Sequence, residues 1–117
     1  MKYIPLHICL SILLLSFVSS SLSAQENSME QWLHQATEYR FNQPDSARFY
    51  CQKILSEAQK AKNNEMRAEA LRIMSISYEA QGNYKEALVY GLQSLKLWRQ
   101  IGEDPKTANT LNSVGII

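Results

Sequence analysis

Glycine and proline are scarce in this chain, four and three residues out of 117, which excludes a low-complexity linker. An excess of one charge is also lacking. Twelve Lys and Arg stand against eleven Asp and Glu, for a net +1. That balance excludes a basic nucleic-acid patch of any size, and no polybasic run offers itself to an anionic membrane. What is present suits one small globular unit or a piece of one: 45% hydrophobic and 20% charged residues over a length typical of a single domain.

The apolar residues are unevenly spread. Residues Met1–Ala24 read MKYIPLHICLSILLLSFVSSSLSA, with Lys2 as the sole charge, an apolar run Ile8–Val18 and a small, polar tract Ser19–Ser23. This is the order of a secretory signal over residues 1–24. The run would rise about 16 Å as a helix, well short of the ~30 Å hydrocarbon core. An uncleaved membrane anchor is the alternative. Cleavage fits after Ser23, with Ser21 at the third position back, or after Ala24, with the less suitable Leu22 there. A lipoprotein cysteine follows the apolar run, whereas Cys9 stands at its start, so lipidation is not expected. Removing the segment leaves 93 residues, no net charge and Cys51 as the only thiol. No intramolecular disulfide can then form, and a lone Cys in an apolar helical stripe reads as a small core hydrophobe.

The remainder is all-α by pattern. Apolar residues recur at three and four, as in Leu71, Met74, Tyr78 and again in Ala87, Tyr90–Gly91, Ser94–Leu95, Trp98. Ser28 with Gln31 resembles a capping box. Gln43-Pro44-Asp45 places proline at a helix start, Asn63-Asn64 separates two helices, and Gly82-Asn83 joins a stop to an N-cap, with Glu86 three residues on. Asp104-Pro105 opens a last helix. The predicted helices run over about 29–41, 45–62, 65–81, 84–101 and 105–117.

The chain also repeats. An offset of 40 residues aligns Ala47 with Ala87, Tyr50 with Tyr90, Leu55 with Leu95, Ala68 with Ala108 and Leu71 with Leu111. Trp32, Ala36 and Tyr39 form a large, small, aromatic order that returns as Leu71, Ser75 and Tyr78 and begins again at Leu111 and Gly115. The first copy is one residue shorter between its Tyr and the following Ala. The small residues Ala36, Ser75, Gly115, Ala47 and Ala87 predict close helix–helix approach, and Tyr39, Tyr78 and Tyr84 are expected to fill the wedge between hairpins. Such hairpins bury their apolar faces only by stacking on neighbours. The predicted last helix stays apolar through Val114-Gly115-Ile116-Ile117, which suggests the N-terminal piece of a longer protein; an apolar tail that docks on the body is the alternative.

Leu71, Met74, Ser75, Tyr78, Gly82, Tyr84, Ala87 and Leu95 together resemble the tetratricopeptide repeat family, with Leu for its Trp and Ser for its helix-packing Gly. The likeness departs at Gly91 and Ser94 and in its 40-residue spacing. It covers about 29–117 and implies a right-handed αα-hairpin array of about two and a half repeats. In that family the first helices line a concave groove that binds an extended peptide or a helix. The matching positions are Glu30, Leu33, Thr37 and Arg40, then Glu69, Arg72, Ile76 and Glu79, then Asn109, Asn112 and Ile116. A solvated helix face is the other reading of these charges. The Lys/Asn clamp for a terminal carboxylate is absent, because Leu33, Thr37 and Ile76 occupy its positions.

Catalytic chemistry has little to stand on. His34 and Glu38 share one helix face, but two groups without a third make a poor metal site, and an i,i+4 surface contact accounts for them. No phosphate loop, Ser/His/Asp order or zinc spacing occurs, so neither an enzyme nor a cofactor is expected. The resemblance implies an exported, periplasmic or extracytoplasmic protein-interaction or sensory module. It is similar to the N-terminal repeat region of bacterial membrane-bound regulators, whose membrane contact would come through the leader or a C-terminal region. A stand-alone periplasmic or secreted adaptor is the competing expectation.

Overall fold

The computed structural model describes residues 5–102 and 109–110, with the side chains of 13–22 left aside. Four helices follow one another: α1 over Leu6–Tyr39, α2 over Pro44–Lys60, α3 over Asn64–Ala80 and α4 over Tyr84–Ile101. Asn109 and Thr110 are also helical, and no strand occurs among the described residues. The fold is all-α. The boundaries expected for α2, α3 and α4 lie within two residues of those observed. The rest of the expected last helix, with Leu111, Asn112, Gly115 and Ile116, lies outside the described residues.

The first helix differs from expectation. It does not open at Ser28 but runs unbroken from Leu6 for 34 residues. No Gly or Pro interrupts this stretch, so nothing breaks the i→i−4 ladder. Ser28 sits inside the helix, where its hydroxyl donates back to the Ala24 carbonyl at 3.1 Å rather than capping an end. Near the start of α1, Leu6, Ile8, Leu10 and Ile12 are all exposed. No helix among the described residues is long and apolar enough to cross a membrane.

The connections are short, and their geometry follows from local chemistry. Pro44 occupies the first turn of α2, where its missing N–H costs nothing. After α3 the chain turns at Gly82, φ +75°, with the Asn83 N–H donating to Tyr78 and the Gly82 N–H to Glu79. The same paired turn closes α2, but there Lys62 takes the left-handed position at φ +53°. Asn63 caps α3 by accepting the Met66 N–H at 3.1 Å. Asn83 holds the corresponding place before α4 without a side-chain cap, which corrects the capping expected of it.

Each helix packs antiparallel on its neighbour in sequence, and α1 also touches α3. The burial pattern repeats with the chain. Ala47, Cys51, Ile54 and Ala58 of α2 are buried, and so are Ala87, Gly91, Ser94 and Trp98, each 40 residues further on in α4. In the first helices Met29 and Ala36 return 39 residues later as buried Ala68 and Ser75. Two hydroxyls tie α3 to α4: Ser75 donates to the Ala87 carbonyl at 2.6 Å and Ser94 to the Ala68 carbonyl at 2.8 Å. Small side chains allow this approach, and the hydrogen bonds remove the cost of burying the serines.

Stacked tyrosines fill the ends of both hairpins, Tyr39 on Tyr50 at 6.2 Å and Tyr78 on Tyr90 at 5.4 Å. Gly91, next to Tyr90 in sequence, is buried in α4. Tyr84 does not fill the wedge as expected: it is 57% exposed in the first turn of α4. Spacing alone does not distinguish its rotational position on the helix from that of a packed residue. Cys51 is buried, and burial pushes its thiol up to about 12, partly opposed by the Arg48 charge, which leaves it protonated and inert as a nucleophile.

Candidate functional site

A groove of about 310 Å³ lies between the N-terminal turns of α3 and the adjoining stretch of α1. Met29, Leu33 and Met66 form its apolar floor, and Glu26, Glu30, Glu65 and Glu69 line its sides. The residues arrive there for simple reasons. On α1, positions 26, 30 and 33 fall on one face at helical spacing. On α3, the Asn63 cap fixes where the first turn begins and so carries Glu65, Met66 and Glu69 to the same side.

The carboxylates repeat with the fold. Glu26 and Glu30 recur 39 residues later as Glu65 and Glu69, so each hairpin presents the same pair at the same place. Glu69 is held by Arg72, which donates to it at 3.0 Å. Glu26, Glu30 and Glu65 have no ion pair among the described residues. A second recess of about 370 Å³ continues the groove past Met29 toward Gln25, Lys62 and Asn64. At that end the Gln25 amide donates to Glu57 at 2.5 Å and, with Lys60, holds the Glu57 carboxyl below the ordinary carboxylate range.

Of the positions expected to line a partner groove, Glu30, Leu33 and Glu69 come together here, with Arg72 beside them. Thr37, Arg40, Ile76 and Glu79 do not line it; they lie further along the two helices and are all half-buried. Two of them are already engaged: Thr37 donates to the Leu33 carbonyl at 2.7 Å, and the Arg40 guanidinium donates to the Thr37 carbonyl while lying over the Phe41 ring. Asn109 is exposed. Glu26, Met29, Glu65 and Met66 were not anticipated by sequence reasoning. A helix taken to begin at 29 excludes Glu26, although the 39-residue return of the Glu pair was present as a signal.

The other surfaces are plainer. His34 and Glu38 are both exposed, and no cluster of three metal-ligating side chains occurs among the described residues. Lys53 lies over the rings of Trp32 and Phe49, and Trp32 is accordingly half-buried rather than sealed in the core. Arg48 lies over Tyr78 and donates to Ser77 and Gln81, which joins α2 to α3. The described residues therefore define an all-helical array with one acidic-sided, apolar-floored groove between α1 and α3. No family model matches the chain, and neither a curated protein nor a solved structure shows significant similarity to it.

Proposed function

We propose that this chain is an exported αα-hairpin repeat module of tetratricopeptide type that binds a polypeptide segment along the α1–α3 face. We further propose that it serves as the extracytoplasmic, N-terminal part of a bacterial signalling protein. The observation that carries the binding reading is the groove itself, in which Glu30, Leu33 and Glu69, positions matched from the repeat pattern, meet around an apolar floor. The 40-residue return of the buried positions in α2 and α4 supports the repeat assignment. Export is supported by the contrast within α1. Leu6, Leu10 and Ile12 are exposed, whereas Gln25 bonds to Glu57 and Met29 is buried in the body. Apolar side chains unpartnered in a soluble body suit a segment that is removed or held in a membrane.

The test is site-specific photo-crosslinking in the cell, with the reactive group placed at Leu33 or, as a control outside the groove, at exposed Lys96 of α4. A discrete adduct from Leu33 and none from Lys96 is expected, and equal labelling from both refutes the groove. N-terminal sequencing of the same protein should begin at Ala24 or Gln25; intact Met1 in the soluble cytoplasm removes the export reading. Further repeats, an apolar span and an output domain encoded after Ile117 are the result expected of a sensor, and a stop codon there turns the reading to the adaptor.

A further inference from the structure

The groove carries information about its partner beyond its existence. The chain as a whole is nearly neutral, so four carboxylates around one cleft are a local segregation of charge. Three of them have no cation among the described residues, and the fourth already shares Arg72. Between them lie Met29, which is fully buried, and the partly buried Leu33 and Met66. Methionine adapts its shape to whatever packs on it, and an apolar floor with anionic sides is complementary to a segment that alternates apolar and cationic side chains.

We infer that the partner of this groove is a cationic, amphipathic stretch of polypeptide. Its apolar side chains rest on the partly exposed Leu33 and Met66, above the buried Met29, and its Lys or Arg side chains lie against Glu26, Glu30 and Glu65. The inference rests on the reading of the α1–α3 face as the binding surface. It excludes acidic peptides and anionic lipid headgroups, which the same carboxylates repel. Because Glu26/Glu30 and Glu65/Glu69 occupy equivalent positions in successive hairpins, the cations must straddle the groove from both sides. The Lys62 end is the one place where the segment turns less basic.

The experiment uses the full chain and three short synthetic peptides of alternating Leu-Lys, Leu-Gln and Leu-Glu, with binding read by fluorescence anisotropy. The Lys peptide should bind, and its affinity should fall between about 50 mM and about 300 mM NaCl as screening shortens the reach of the carboxylates. A Glu30→Gln, Glu65→Gln double variant, with its circular-dichroism melt unchanged, should bind the Lys peptide about fivefold more weakly, since each exposed pair contributes modestly. Equal or tighter binding of the Gln or Glu peptide, or no loss in the double variant, overturns the cationic partner. So does failure of all three peptides to bind below about 1 mM. The Leu33 crosslink then separates the two ideas: if the adduct persists, the groove stands and only the partner's charge is wrong.

Discussion

Replacing Ala87 by Leu probes the close α3–α4 contact. Ala87 has no exposed surface, and its carbonyl accepts the Ser75 hydroxyl at 2.6 Å, so the facing helix is already at hydrogen-bond distance. Three extra carbons have no free volume to enter in a close-packed interior. They must push α3 from α4 and lengthen or break the Ser75 bond, and with it the matching Ser94–Ala68 bond. Overpacking of this kind costs about 1–3 kcal/mol. For a unit of this size each kcal/mol lowers the midpoint by about 4–8 °C, so the melt followed by far-ultraviolet circular dichroism should fall by about 4–24 °C. Lys85→Leu, two residues earlier and exposed, should leave the midpoint nearly unchanged. Ser75→Ala alone should cost about 0.5–1.5 kcal/mol, but less in the Ala87→Leu background, where its hydrogen bond is already lost. An unchanged midpoint for Ala87→Leu, or a fall no larger than that of Lys85→Leu, would show that this face does not form the α3–α4 contact.

The turns and the buried thiol give further expectations. Asn63→Ala removes the acceptor for the Met66 N–H and should cost about 1 kcal/mol in urea unfolding. Gly82→Ala and Lys62→Gly should move stability in opposite directions, down and up by about 0.5–1 kcal/mol, because both positions are left-handed and only one is glycine. Cys51 should resist a maleimide in the folded chain and react on unfolding. Since its folded thiol titrates near 12 and an unfolded one near 8.5, the unfolded state alone loses a proton above about pH 9. Stability should therefore be insensitive to this group below that pH, and the group should lower it by up to about 1.4 kcal/mol per unit above it, a contribution that Cys51→Ala removes.

The sequence by itself determined the helical class, three of the four described helix spans and the 40-residue return of small buried positions. These are matters of spacing and of groups within four residues of each other: Pro44 at a first turn, Asn63 reaching Met66, Gly82 in a left-handed turn. Short-range hydrogen bonds and fixed φ preferences act the same way in any fold, so they are legible before one is known. The start of α1 was not, because a capping signal at Ser28 yields when the preceding residues are also helical. Nor was the exposure of Tyr84, or the meeting of Glu26 and Met29 with Glu65 and Met66. Each of these depends on how far one helix is rotated about its axis and which neighbour lies beside it. That is set by the summed packing of residues some 40 positions apart, and only the tertiary structure decides it.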